Sequence, residues 1–331
     1  MARRRWLGAL LAGLLLPAPA PAADPAPGRV VSLNVCTDQL AMLVARPGQL
    51  YSVSYLARDA DNSAMVEEAG AYLPNHGLAE EVFLMKPDLV LAGTYTAHGT
   101  VSLLRRLGFR VEEFPPETSF EDVRANLRRT GALLGNPARA EALVTAMDRE
   151  LAALAAEKAP RLRTALAFSN SYTSGAGTLV SDVVRRAGLE NIAETLGMTG
   201  LARLPLERLV LADPQLMAGV PTPAEKPALA DQNFAHPAYR ALAARTAGAP
   251  LENRLTVCGG PFTLKAARAL QAAAMRAARA SGAVRAETEK TTQNQMPKVA
   301  PSTGGSGRAA ARSLAALPLL PALDAVEGSP E

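Results

Sequence analysis

One phrase of twelve residues occurs twice in this chain, and it constrains the fold more than any other feature. Glu80-Glu-Val-Phe-Leu-Met-Lys-Pro-Asp-Leu-Val-Leu aligns without gaps with Glu207-Arg-Leu-Val-Leu-Ala-Asp-Pro-Gln-Leu-Met-Ala. The leading Glu, Leu84/Leu211, Pro87/Pro214 and Leu89/Leu216 coincide at a constant offset of 127 residues. Each copy reads as an amphipathic helix, a Pro that stops it, and a short strand of the buried type. A helix–Pro–strand unit can recur by chance in any α/β protein. An offset near half of a core of about 260 residues makes two similar lobes the better account, and it is too long for a solenoid repeat.

The surrounding text repeats the same grammar. In the first half Arg29–Leu33, Asp88–Ala92 and Phe109–Phe114 read as strands, with helices over Gln39–Val44 and Val101–Leu107. In the second half Thr164–Phe168 reads as a strand and Leu179–Ala187 as a helix. Short strands alternating with helices predict a parallel or mixed sheet in each half. Between the halves lies Ser119–Lys158. Its second part, after Gly135-Asn136-Pro137, carries Ala140, Leu143, Val144, Met147, Leu151 and Leu154 with no later Gly or Pro. That pattern predicts one long helix, hence a stiff joint rather than a flexible linker. A cleft between two such lobes, at the carboxyl ends of the strands, is where α/β proteins place ligands.

The two ends read differently from the core. Arg3-Arg4-Arg5, the apolar run Trp6–Leu16 and the small-residue zone Pro17–Ala23 form a tripartite secretory signal, with an A-x-A-like site at Ala20-Pro21-Ala22. Its apolar run is about half the ~20 residues a membrane helix needs. Residues 1–23 are therefore read as a cleaved signal peptide and the mature protein as exported; Arg3–Leu7 leaves Sec and Tat export both open. From Glu287 the chain becomes polar and then Gly/Ser-rich, and Pro318 and Pro321 interrupt its last apolar run. Residues 287–331 are expected to form a flexible low-complexity tail. The lobes are then 24–117 and 161–286, with 118–160 connecting them.

Signal peptide, Arg29-Val-Val-Ser-Leu33, Glu80…Lys86-Pro-Asp-Leu-Val90, the connecting helix and Glu207…Pro214 occur in this order. Over residues 29–280 the set resembles the substrate-binding proteins of ABC importers for vitamin B12, ferric siderophores and haem. The resemblance implies an α/β fold of two Rossmann-like lobes joined by a single long rigid helix, with the ligand in the cleft between them. It also implies a periplasmic location and docking on a permease dimer in the inner membrane, where a Glu on each lobe meets Arg pockets; by position these are Glu80 and Glu207. Each heads an amphipathic segment, so Val82/Leu209 and Leu84/Leu211 are expected to face the core and leave the Glu exposed. The tail has no place in that pattern.

If the lobes are so arranged, the cleft loops follow the strands. They are Asn34–Asp38, Ser54–Asp59 and Gly93–His98 on the first lobe, and Asn170–Gly177, Val220–Thr222 and Gly259–Phe262 on the second, with Phe234–Tyr239 nearby. The side chains expected to grip a ligand are Thr37, Asp38, Tyr55, Arg58, Tyr95, Tyr172, Tyr239 and Phe262; part of this set can equally pack its own loop. Cys36 and Cys258, each read as following a strand, one per lobe, can form a bridge closing a loop of 222 residues, since an exported protein meets an oxidising compartment. Two buried thiols and a thiolate pair touching the ligand are the alternatives.

His76, His98 and His236 are widely spaced, with no H-x-H or H-E-x-x-H, so a metal site would have to be gathered across the cleft with Asp38 or Asp59. His236-Pro237 reads more simply as a helix start. Gly175-Ala-Gly177 begins like a dinucleotide fingerprint but carries Val180 at the third glycine position. No G-x-S-x-G, H-E-x-x-H or P-loop motif is present. Lys+Arg total 35 against 31 Asp+Glu, and the basic charge is spread rather than grouped, which argues against a nucleic-acid partner.

The expected function is capture of a metal chelate, cobalamin or a ferric siderophore, by a monomer without enzymatic chemistry or cofactor of its own; the cobalt or iron belongs to the ligand. Haem or free metal ion is the alternative ligand. An exported metal-dependent hydrolase built on the three His is the rival of another class.

Overall fold

A computed structural model describes residues 25–219 and 228–295. The signal-peptide reading, the Val220–Thr222 loop and the chain from residue 296 lie outside the described residues.

The first lobe carries five strands: β1 Val30–Ser32, β2 Leu50–Ser54, β3 Leu73–Asn75, β4 Leu89–Gly93 and β5 Val111–Phe114. They form one parallel sheet of order β3-β2-β1-β4-β5. Every residue of β1 and β4 is buried, as expected of central parallel strands covered by helices on both faces. The covering helices include Val35–Val44, Ala79–Met85 and His98–Arg106. Asn34 starts the first of these by accepting the Cys36 amide at 2.9 Å, an N-cap that leaves the preceding strand end free to turn.

The second lobe carries β6 Arg163–Leu166, β7 Tyr172–Ser174, β8 Glu190–Asn191, β9 Leu201–Arg203, β10 Leu216–Ala218 and β11 Ala247–Ala249. Its main sheet is parallel, in the order β11-β10-β6-β8, and β7 pairs with β9 antiparallel beside it. The repeated phrase does the same thing in both lobes. Its helices are Ala79–Met85 and Leu206–Leu211, and the strands that follow, β4 and β10, pair with β1 and β6, the first strand of each lobe. Lys86 and Asp213, 127 residues apart, both take the left-handed conformation, with φ 49° and 45°, immediately before the buried Pro87 and Pro214. A residue before proline is kept out of the right-handed helical region, so each helix ends there.

Within each phrase Val82 and Leu209 face the core, but Leu84 and Leu211 do not. They are 77% and 84% exposed, which corrects the expectation that both apolar positions pack inward. Helices of seven and six residues make barely two turns, and only one side of so short a helix lies against its sheet.

The lobes are joined by two antiparallel helices, Phe120–Leu133 and the 20-residue Pro137–Ala156. The long helix spans about 30 Å. Its start is held by the first lobe, through Asn136 Nδ2 to the Val44 carbonyl and Arg139 Nε to the Leu43 carbonyl. Its end is held by the second, where Gln271 Nε2 donates to the Leu154 carbonyl at 2.9 Å. One apolar core runs from Leu40 and Leu89 through Phe120, Leu127, Met147 and Leu154 to Leu166, Leu216 and Leu270. The outer sheet faces have their own clusters, around Val90 and Leu104 in the first lobe and Met217 and Leu242 in the second.

The terminal helix, Leu264–Gln295, runs past the expected lobe end at residue 286, because Ala, Arg, Glu and Lys at 283–290 are good helix formers. The chain divides into two compact units at Ala283, and everything below concerns the first. No described helix is long and apolar enough to cross a membrane.

Candidate ligand-binding cleft

A cleft with a volume of about 1140 Å³ opens between the lobes. The first lobe contributes Ala60 and Asp61, in the turn after β2; the second contributes Phe168, Tyr172 and Gly219 near its strand ends, and the segment Pro250–Val257 apart from the buried Leu255. The wall is mostly neutral, with apolar Phe168, Leu201, Leu251 and Val257 interleaved with Ser169, Ser174 and Thr256. Its charged groups are two carboxylates, Asp61 and Glu252, against one guanidinium, Arg254, which is already paired to Glu252 at 2.6 Å.

The lobes are fastened to one another beside this cleft. Cys36 and Cys258 form a disulfide with Cα atoms 5.1 Å apart. Cys36 sits in the first turn of the helix after β1, as a strand-end position. Cys258 does not follow a strand; the preceding Asn253–Leu255 is a single 3-10 turn that begins at Asn253, a turn-forming residue. Next to the bridge, the Gly259 amide donates to Glu117 Oε2 at 3.2 Å, and Asn126 Nδ2 donates to Glu117 Oε1 at 2.7 Å. Burial pushes the Glu117 carboxyl above its ordinary range against these bonds. Across the opening, Asn253 Nδ2 donates to the Asp61 carbonyl at 3.1 Å.

Of the eight side chains expected to grip a ligand, Tyr172 lines the cleft, its ring under the Arg203 guanidinium at 5.5 Å. Tyr55 and Tyr95 are exposed, 52% and 85%, on loops at the strand ends of the first lobe, outside the lined cavity. Arg58 turns back onto its own lobe and donates to the Tyr72 carbonyl at 2.5 Å. The remaining four are buried and correct the expectation. Thr37 Oγ1 pairs with Ser32 Oγ at 2.8 Å. Asp38 Oδ2 accepts the Ser54 amide at 3.1 Å and the Ser54 hydroxyl, tying β2 to the first helix. Burial raises its pKa to about 6 despite those bonds. Tyr239 packs edge-on to Phe234 in the second-lobe core, and burial pushes its phenol up to about 12. Phe262, in the 3-10 turn Pro261–Thr263, joins the central core.

The residues missed were Asp61, Ser169, Leu201 and the Pro250–Val257 segment. Pro250 and Asn253 were the available signal, since both mark a loop rather than the strand read there.

The histidines do not converge. His76 stacks on Tyr55 with centroids 5.4 Å apart, and its Nδ1 meets Glu81 Oε1 at 3.0 Å. Bonds from the His76 amide and ring hold the Glu81 carboxyl below its usual range. His98 is exposed at a helix start, and His236 Nδ1 caps Pro237–Arg245 by accepting the Ala238 amide. Among the described residues no three His, Cys, Asp or Glu side chains are grouped to hold a metal ion. Gly175 serves a close backbone crossing: a Cβ there would lie 2.3 Å from the Met198 carbonyl oxygen, and its amide donates to the Gly200 carbonyl at 2.8 Å. That accounts for the glycine without a phosphate.

Glu80 and Glu207 are both exposed, one on each lobe, and neither forms an ion pair among the described residues. Glu80 begins the helix that connects β3 to β4 of the parallel first-lobe sheet, whereas Glu207 begins the helix between β9 of the antiparallel pair and β10 of the main second-lobe sheet.

A model of the family described as periplasmic binding protein matches residues 30–248 of this chain, from β1 to the last strand of the second lobe. The chain belongs to that family. A periplasmic binding protein of this architecture is also what solved structures resemble. The periplasmic haem-binding protein RhuT of Roseiflexus sp. RS-1 superposes with a TM-score of 0.61 at 22% identity, covering 76% of this chain and 98% of that one. The periplasmic vitamin B12-binding protein BtuF of Vibrio cholerae superposes with a TM-score of 0.56 at 18% identity, covering 76% and 98%. At these identities the likeness is one of fold, and it confirms the two-lobe α/β reading. Among curated proteins, a cobalamin-binding protein of Halobacterium salinarum is 29% identical over 200 residues, 59% of this chain and 54% of the relative. The chain thus spans about half the length of the curated relative it matches.

Proposed function

We propose that this periplasmic binding protein is the solute-binding component of an ABC importer, and that it captures a corrinoid, cobalamin foremost, for delivery to the membrane permease. One observation carries the choice of ligand: a cleft of about 1140 Å³ whose wall is neutral apart from Asp61, Glu252 and an Arg254 that Glu252 already engages. An anionic ferric catecholate would meet the Asp61 carboxylate there and no cation free to pair with it, at a cost in desolvation and repulsion. A corrin ring with amide side chains instead finds aromatic and aliphatic surface edged by hydroxyls. The 29% identity to a cobalamin-binding protein supports the same choice. Binding is capture between lobes that the disulfide and shared core hold nearly fixed, with no covalent step.

Haem is the second reading. His76, on the first lobe, is held by Glu81 through Nδ1, and its Nε2 has no hydrogen-bond partner among the described residues, so it is available as an axial donor. Export by residues 1–23 and a monomeric state belong to the same proposal.

Calorimetry of the purified protein with cyanocobalamin, haemin, a ferric hydroxamate and a ferric catecholate tests it. Submicromolar binding of cyanocobalamin, with haemin at least about tenfold weaker, is expected. Tight haemin binding with a Soret shift that His76→Ala abolishes would replace the corrinoid reading with the haem one.

A further inference from the structure

Four identities recur when the two copies of the repeated phrase are aligned: the Glu, the Leu four residues on, the Pro and the strand Leu. Packing explains only two of them. Pro87/Pro214 and Leu89/Leu216 are buried in both lobes. Glu80/Glu207 and Leu84/Leu211 are exposed in both, the leucines at 77% and 84%. A lone exposed leucine needs no explanation. Two of them at equivalent places in two lobes, each in the same relation to an unpaired carboxylate, form one pattern made twice. Positions four apart share a helix face, and about 6 Å along the axis separates them. Val82 and Leu209 hold the opposite face against the core, so the Glu–Leu face of each helix is free. The flanking positions do not repeat: half-exposed Phe83 packs edge-on to Phe109, while its counterpart Val210 is largely covered.

We propose that Leu84 and Leu211 are apolar docking knobs that seat in two equivalent sockets on the permease dimer, each socket carrying a cation about one helical turn from its apolar floor. This rests on the importer reading above. A surface presented twice calls for a partner that offers its own surface twice, which a two-fold dimer does. The carboxylate sets the sign of the partner's charge, and the leucine supplies the buried area that a solvent-exposed ion pair alone lacks.

The test uses full-length mature protein and the permease dimer reconstituted in lipid nanodiscs, with association measured by biolayer interferometry at 50 and 500 mM NaCl. Leu84→Ala with Leu211→Ala is expected to weaken association by about tenfold per leucine, by the same factor at both salt concentrations. Glu80→Ala with Glu207→Ala is expected to remove most of the salt dependence instead. Alanine is a strong helix former and both sites are open, so the fold is retained; unchanged melting and unchanged cyanocobalamin affinity verify this. Wild-type association by the double-leucine variant overturns the knobs while leaving the importer reading intact. Failure of the wild-type protein to associate with the permease overturns both. A wild-type dimer in sedimentation equilibrium at 100 µM that the leucine substitutions dissolve assigns the face to a second copy of this chain and overturns the permease as its occupant.

Discussion

The Cys36–Cys258 bridge joins the first helix of one lobe to the loop before the terminal helix of the other, at a sequence separation of 222. Loop-closure entropy over that length gives an upper figure of about 5 kcal/mol, and native bridges commonly deliver 2–4 kcal/mol. The bridge abuts the cleft, because Val257, next to Cys258, lines its wall. Replacing both cysteines by Ala is expected to lower stability by about 2–4 kcal/mol in denaturant titration and to weaken cyanocobalamin binding as the lobes loosen. Reducing the wild-type protein should reproduce both effects, with two thiols appearing on labelling. An unchanged denaturation midpoint in both experiments would show that the core through Phe120 and Leu154 fixes the lobes unaided.

The fold was legible because its signals are local. The repeated phrase, the continuous buried run at β4 and the periodic stretch after Pro137 each follow from a few neighbouring residues. Cleft walls are not local. Thr37 and Asp38 stand at a strand end, where ligand residues gather in α/β proteins, yet Ser32 on the adjoining strand and Ser54 on the neighbouring one turn them inward. Arg58 is lost to the cleft through a single bond to Tyr72. Leu84 and Leu211 fail for another reason: in a two-turn helix the apolar periodicity is too short to tell the packed face from the free one.

Buried Asp38 gives stability an unusual pH dependence. Its carboxyl titrates near 6 in the folded state and near 3.8 in the unfolded chain, so between those values the folded protein binds more protons. Stability from this group is therefore greatest at the acid end and falls as pH rises from about 4 to about 6, by about 3 kcal/mol. Glu117, also raised by burial, acts in the same direction. Asp38→Asn keeps an acceptor for Ser54 and stays neutral, so it is expected to flatten that slope and to equal or exceed wild-type stability at pH 7. Urea midpoints at pH 4.5, 5.5 and 7 check this; parallel profiles for the two proteins would rule it out.

Two tyrosines, both expected in the cleft, part company in the structure. Tyr172 lines the cavity, whereas Tyr239 is 4% exposed among second-lobe core residues. Tyr172→Ala is expected to weaken cyanocobalamin binding by about tenfold or more with a small change in melting, since one aromatic face is lost from the wall. Tyr239→Phe should leave affinity unchanged. Equal losses for both substitutions would mean that the ligand sits deeper in the second lobe than the cavity does.

Glu80 and Glu207 are the last pair to separate by consequence. Each stands in the first turn of a short helix, where a carboxylate stabilises an exposed terminus by roughly 0.3–1 kcal/mol. If capping were their only role, Ala at both positions would cost that small amount and leave uptake per folded molecule intact. If each meets a permease guanidinium, the contact is charge-assisted and bidentate in its best geometry, and its loss falls on transport. The expected outcome follows from their exposure and from the absence of any ion pair to either among the described residues. The double alanine variant should bind cyanocobalamin as the wild type does and melt within a few degrees of it. Radiolabelled cobalamin uptake into proteoliposomes carrying the importer should fall at least about tenfold, with each single variant between the two. Normal uptake by a folded, ligand-binding double variant would falsify the docking role and leave both residues as helix-terminal carboxylates.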